Sequence, residues 1–224
     1  MGTLIRTDLS LFEERTDEIT SKTSYKDVKE TIAILKNELH REKDLVCLCA
    51  PQVNKQLRIF VVKNANNVYK AFLNPMIVNA SKEMHLSRET NASIPGKEYL
   101  VVRNNTIHLA YQQPDGRIDS ETYTGVYAEV IQQMVQMLDG VTLEDFGLEL
   151  TKGFDKASKA DKQTIIQMYL ESLKQYSATL SSDIENNPNL KLLNDTINFN
   201  TKYLNGEIIP LDENGNEVLP KVDE

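Results

Sequence analysis

Residues 24–41 (SYKDVKETIAILKNELHR) set Val28, Ile32, Leu35 and Leu39 three or four positions apart, the spacing of one helical face. Ser24 stands three residues before Asp27 as an N-cap, so the stretch predicts an amphipathic helix packed on a sheet. The pattern then changes. Residues 56–63 (QLRIFVVK) and 68–72 predict strands, with Asn66-Asn67 as a tight turn between them. Leu73-Asn74-Pro75 predicts the end of a strand. Residues 108–111 and 118–123 flank Pro114-Asp115-Gly116, a turn signal that predicts a hairpin. Residues 125–139 return to a helical pattern. A third helix, from about 158 to 176, has Ile165, Met168, Tyr169 and Leu173 as its apolar stripe.

Past Tyr176 the character of the chain changes. Residues 177–188 are rich in Ser and Asn, and 190–204 have a short amphipathic pattern. Residues 205–224 read as an extended acidic tail, with Glu207, Asp212, Glu213, Glu217, Asp223 and Glu224 against Lys221, and their composition is that of a disordered segment. The division expected is a domain over 1–176 and a C-terminal arm over 177–224.

With 224 residues, 40% hydrophobic and 26% charged, the chain is long enough for a substantial core. The net charge of −8 argues against sequence-independent nucleic-acid binding, which depends on Lys and Arg neutralising phosphates. No apolar run approaches the roughly 20 residues that span a bilayer, so no membrane partner is expected. The opening segment turns acidic early and has no apolar signal core. Met1-Gly2 suits myristoylation, but Arg6 stands where that pattern wants Ser or Thr. A soluble intracellular protein is the expectation. Cys47 and Cys49, the two cysteines, are one residue apart, which makes a mutual disulfide awkward and favours buried, reduced thiols.

The helix at 125–139 has the frame of a metalloenzyme helix without its chemistry. In HExxH, two imidazoles four residues apart hold a metal, and a carboxylate handles the proton of the bound water. Here Gln133 and Met137 stand in the histidine positions, and Met134 in that of the glutamate.

Three collinear segments resemble peptide deformylases. Leu45-Val46-Cys47-Leu48-Cys49-Ala50-Pro51-Gln52 resembles the family's GxGLAAPQ loop. Glu89-Thr90-Asn91-Ala92-Ser93-Ile94-Pro95-Gly96 resembles EGCLSIPG. Ala128, Val130-Ile131-Gln132 and Leu138-Asp139-Gly140 match the frame of ARVIQHExDHLDG. Leu73-Asn74-Pro75 fits the LINP strand, and the likeness covers roughly residues 1–176. The resemblance implies an α+β fold with antiparallel sheets packed around a central helix at about 125–139, plus a C-terminal extension. It also implies removal of formyl groups from N-terminal methionine. Family members hold Fe²⁺ or Zn²⁺ with one Cys and two His, and use a Glu as general acid or base.

Carried over by position, the Cys ligand is Asn91, the His ligands are Gln133 and Met137, and the catalytic Glu is Met134. Leu45 and Cys47 replace the loop glycines, and only Gln52 and Glu89 are retained. An amide oxygen is a poor zinc ligand and a thioether suits Cu(I), so neither metal nor cofactor is expected. Met134 and Met137 read as packing, because flexible Met fills the space a metal leaves. Gln52 and Gln133 are expected to hydrogen-bond each other or nearby backbone. Cys49 has no base partner in any motif, and His40, His85 and His108 lie outside all three.

Three functions compete. The one favoured is a non-catalytic, structural or scaffold protein with an inactive deformylase fold. Its arm at 177–224 would contact other protein subunits, as in a phage virion tail, neck or baseplate. It would reside in the virion if phage-encoded, and otherwise in the cytoplasm. The second is a peptide-binding pseudoenzyme that keeps the substrate groove. An open groove near Gln52 and Ile94 would favour it, and bulky Leu45 argues against it. The third is a hydrolase using different residues. It lacks a nucleophile–base pair, and Asp115, Asp119 and Glu121 suit turn and solvated strand positions.

Overall fold

Ser24 accepts a hydrogen bond from the Asp27 amide and opens a helix over Tyr25–Arg41 in the computed structural model, which describes residues 4–179 and 188–219. Met1-Gly2, most of the 177–188 stretch, and Lys221, Asp223 and Glu224 of the tail lie outside the described residues. In chain order the elements are α1 (Tyr25–Arg41), β1 (Cys47–Cys49), β2 (Ile59–Lys63), β3 (Tyr69–Ala80), β4 (Met84–Asn91) and β5 (Ile94–Asn104). There follow β6 (Thr106–Gln112), β7 (Ile118–Thr124), α2 (Gly125–Leu138), α3 (Leu143–Phe146), β8 (Leu148–Glu149), α4 (Lys159–Thr179) and α5 (Pro188–Leu204). The fold is α+β, with antiparallel sheets and extra C-terminal helices, as the sequence resemblance implies. It divides into two compact units: Met1–Lys82, Asn91–Pro95 and Asn105–Thr142; and Glu83–Thr90, Gly96–Asn104 and Leu143–Glu224.

The first unit is an antiparallel sheet, β1-β2-β3-β6-β7, covered on both faces. Alternate residues of a strand point to opposite faces, so β2 serves two cores. Ile59 and Val61 join Val28, Ile32, Leu35 and Leu39 of α1 in one cluster. Phe60 and Val62 join Ile131, Met134, Val135 and Met137 of α2 in the other. All five β2 side chains are buried in consequence. Phe60 stacks on Phe72 with ring centroids 4.5 Å apart, and Tyr111 meets Phe72 edge-on at 4.8 Å.

Helix α2 is buried almost all round, including Glu129, Gln132, Gln133 and Gln136. Its carboxyl end is finished by other parts of the chain. The Leu138 carbonyl accepts from Thr16 N and Thr16 Oγ1, both at 2.9 Å. Arg58 Nη1 reaches the Asp139 carboxylate at 2.6 Å. Gly140 then turns at φ +81°, where a Cβ would lie 3.0 Å from the Glu14 carbonyl carbon. Only glycine fits both the left-handed backbone and the close approach.

Two expectations are corrected here. Pro75 does not end a strand: β3 continues to Ala80, with a register shift between Leu73 and Met76 and Asn74 at φ +48°. A bulge tolerates the missing N–H, and the Asn74 side chain bonds both the amide (2.8 Å) and the carbonyl (2.7 Å) of Ile19. In α4 the buried face is Ile166, Leu170 and Leu173, whereas Met168 is 69% exposed. The true stripe is rotated around the helix from the expected one, and Tyr169 directs its hydroxyl to the Phe146 carbonyl.

The second unit has its own sheet, β4-β5-β8, over a core of Leu86, Leu100, Val102, Phe154, Ile166, Phe199, Tyr203 and Leu219. Phe199 and Tyr203 come from α5, and Leu219 from the expected tail. That tail contains a tight turn in which Asp212 accepts from the Asn214 and Asn216 amides, at 2.9 and 2.8 Å, and Leu86 N donates to Leu211 O at 2.9 Å. Acidic composition suggested a segment without a core, but Leu219 is buried and Ile208 and Val218 pack against the same cluster.

Truncating buried side chains should expose how much each core contributes. Tyr203→Ala removes a side chain with no exposed surface and is expected to lower stability by about 3–5 kcal/mol. Met134→Ala, in the first unit, should cost about 2–5 kcal/mol. Denaturant unfolding checks both, and a loss below about 1 kcal/mol at either position would refute its assignment to a packed core.

Candidate functional site

Three stretches of the first unit deliver the polar side chains of its centre. After β1, residues Ala50–Val53 form one tight helical turn, released by Asn54 at φ +59°. This turn buries Gln52 to 1% exposure. The end of β4 supplies Asn91, followed by Ser93. Helix α2 supplies Gln133 and Met137 on one face, four residues apart.

Gln52 Oε1 accepts from the Cys49 amide at 2.9 Å. Gln52 Nε2 donates to Asn91 Oδ1 and to Ser93 Oγ, each at 3.3 Å. Asn91 Oδ1 also accepts from the Ser93 amide at 2.8 Å. Asn91 Nδ2 donates to Gln133 Oε1 and to Met137 Sδ, both at 3.0 Å. The expected bond between Gln52 and Gln133 therefore runs through Asn91. Ser93 belongs to this network, and sequence reasoning missed it although it stands inside the second family motif.

The remaining candidates lie elsewhere. Met134 packs among Phe60, Phe72 and Ile131. Glu89 forms a two-pronged ion pair with buried Arg103 at 2.5 and 2.7 Å, under a guanidinium placed 5.5 Å from the Phe146 ring centroid. Cys49 is a free thiol 3.4 Å from Gln52 Oε1, and burial pushes its pKa well up, so it stays protonated. His108 bridges Thr122 and Ser120 on the hairpin, and His40 lies against Tyr69. Asp115 pairs with Arg117 in the turn. Asp119 is taken up by Gln113 and Ser120. Glu121 accepts from Lys70 (2.6 Å), Tyr123 (2.7 Å) and Tyr111 (2.9 Å), which hold its carboxyl at about 2.

Amide, hydroxyl and thioether groups bind through hydrogen bonds. They do not fit the family's ion: the set is neutral, and Asn91 turns a donor toward Gln133 and Met137. Among the described residues, no group of three or more His, Cys, Asp or Glu is placed to hold a metal.

The first unit also has an open groove of about 360 Å³, within the size of small-ligand sites. Its wall is apolar, with Val46, Val62, Val126, Tyr127 and Val130, and Lys43 and Asn64 are also on its lining. Val130 sits one turn before Gln133 and Met134 on α2. Leu45, expected to obstruct a groove, is half-buried and packs into the α1 cluster instead.

Residues 4–148 match the family model of polypeptide deformylase. The peptide deformylase of Treponema pallidum (strain Nichols) is 36% identical over 100 residues, 45% of this chain and 61% of that protein. The peptide deformylase of Dictyoglomus thermophilum is 39% identical over 106 residues, 47% of this chain and 68% of the relative. The chain thus spans about three fifths of the length of the first of these relatives. Among solved structures, the Thermotoga maritima peptide deformylase aligns with TM-score 0.57 and 28% identity, over 63% of this chain and 94% of that one. A probable peptide deformylase from Synechococcus phage S-SSM7 aligns with TM-score 0.57 and 25% identity, over 63% and 97%.

These likenesses correct the expected function. The inactive scaffold, the virion subunit and the peptide-binding pseudoenzyme were inferred from missing ligands, yet these relatives are named peptide deformylases. Loss of a ligand set describes what one centre can hold and says nothing for a structural role. Within the expected arm, Phe199, Tyr203 and Leu219 are buried in this chain's second unit. From residue 4 to residue 148, through the sheet, the central helix and the three motif positions, the chain belongs to the peptide deformylase family.

Proposed function

We propose that this chain acts as a peptide deformylase, taking peptides that begin with formylated methionine. The observation that carries the reading is the apolar groove on the first unit, lined by Val126, Tyr127 and Val130 at the start of α2, one turn before Gln133. An unbranched thioether side chain suits a wall of valines, because burying it removes apolar surface from water without an unmet hydrogen bond. The formamide of the substrate has one donor and one acceptor and no charge. The centre offers matching chemistry in its carboxamides and in Ser93. Family membership supplies the reaction. The finer reading adds that the residues at Asn91, Met134, Gln133 and Met137 depart from the family's catalytic set, so the ion is no part of the proposed chemistry at these positions.

A hydrolysis assay with a formyl-Met peptide on the full chain tests this, with the unformylated peptide as a control. Val126→Asp is the informative variant. Val126 is 57% exposed and lies in the first turn of α2, where a carboxylate is favourable to the helix dipole, so folding should be kept. A charge in the groove should weaken uptake of the methionine side chain at least about tenfold, read as a raised KM. Failure of the wild-type chain either to bind or to turn over the formylated peptide would overturn the proposal.

A further inference from the structure

Asn91, Gln133 and Met137 converge as three metal ligands would, yet a hydrogen-bond donor occupies their meeting point. Asn91 Nδ2 is 3.0 Å from Gln133 Oε1 and 3.0 Å from Met137 Sδ. The orientation of this amide is fixed from its other end. Asn91 Oδ1 accepts from the main-chain N–H of Ser93 at 2.8 Å, and a main-chain N–H can only donate. The nitrogen must therefore face α2. Gln52 is oriented in the same way by the Cys49 N–H, which demands an acceptor at 2.9 Å and so turns Nε2 toward Asn91. From Cys49 through Gln52 and Asn91 to Gln133, every group donates in one direction.

We propose that this polarised amide chain stands in for a metal ion. The N–H groups of Asn91 hold Gln133 and Met137 together as a cation holds its ligands, so the wild-type centre binds no divalent metal. The frame, however, still accepts one when its donor atoms are exchanged. An ion placed here would meet an amide nitrogen with no lone pair to give, and would displace bonds that use both Asn91 hydrogens. Gln133 and Met137 would offer a neutral oxygen and a thioether, with no negative charge against the cost of stripping water from a doubly charged ion. The positions themselves are intact: two on one face of α2, and a third brought within 3.0 Å of both by β4. The inference concerns what the centre binds. It stands or falls separately from the peptide assay above.

The test uses full-length protein dialysed against chelator and then titrated with Zn²⁺, Ni²⁺ or Co²⁺. Metal per chain after gel filtration and the thermal midpoint are the readouts. Wild type should retain no metal and show no metal-dependent rise in Tm. N91C/Q133H/M137H should retain about one equivalent, gain Tm on loading, and give the visible Co²⁺ spectrum of a thiolate-containing site. A wild-type chain that keeps one equivalent, or whose Tm climbs saturably with metal, overturns the proposal. So does a folded triple variant that binds none.

Because the triple variant could fail to fold, Asn91→Asp gives an independent readout. It keeps the shape but turns a carboxylate oxygen toward two acceptors. Its Tm should fall near neutral pH and partly recover on acidification, as the protonated acid regains one donor. The sign follows from a folded pKa raised above the unfolded value, so the lost stability returns as pH falls. Wild-type stability of Asn91→Asp at neutral pH would show that the donor does not hold the centre together.

Discussion

Two main-chain N–H groups set the sense of everything polar at the centre of the first unit. The amide of Cys49 presents a donor at the end of β1, and the amide of Ser93 presents another just after β4. A carboxamide is symmetric in shape but not in charge, so each of these donors decides which end of Gln52 and Asn91 points inward. The orientation then passes to Gln133 on α2. Side-chain networks in a low-dielectric interior reinforce one another when satisfied and are costly when one member is missing. Here a strand end, a helical turn and the central helix are joined by bonds that all have the same polarity.

Packing explains why the central helix can keep three buried glutamines and a buried glutamate. The face of β2 bearing Phe60 and Val62 is filled by Ile131, Met134 and Met137, so α2 is anchored by apolar contact. Gln132 uses a different solution, donating back to the Ala128 carbonyl at 3.1 Å within its own helix. Gln132 is thus satisfied within the helix and Gln133 by Asn91, while the stability of the helix comes from its aliphatic and thioether neighbours. In the second unit a buried salt bridge is treated with comparable economy: Arg103 is wholly buried, but both prongs of its guanidinium meet Glu89.

Much of this was legible in the sequence. The helix at 24–41, the hairpin around Pro114-Asp115-Gly116 and the central helix follow from periodicity and turn chemistry, because each is decided by neighbours close in the chain. The three motif segments located the centre. What escaped depends on distant partners. The bulge at Asn74-Pro75 is stabilised by Ile19, and the rotation of α4 is set by which of its sides meets Leu100 and Val102. The acidic tail looked unable to fold because its apolar residues are few, whereas the value of Leu219 depends on a core built elsewhere. The functional reading went wrong for a different reason. Loss of metal ligands was taken as loss of activity, although it constrains only the chemistry at that point.

The docking of Thr16 on the last carbonyl of α2 has a bearing on how the molecule is made. The two residues are separated by 122 positions in the chain. During synthesis Thr16 emerges long before Leu138, so the segment that finishes the helix must wait, without its partner, for most of the first unit to appear. Closing so long a loop adds an entropic cost that local structure does not offset in advance. The segment around Thr16 is therefore made well before its partner and is among the last of the first unit to find its place, and Gly140, by admitting Glu14 and Arg15 without a side chain in the way, leaves the door open for it until then.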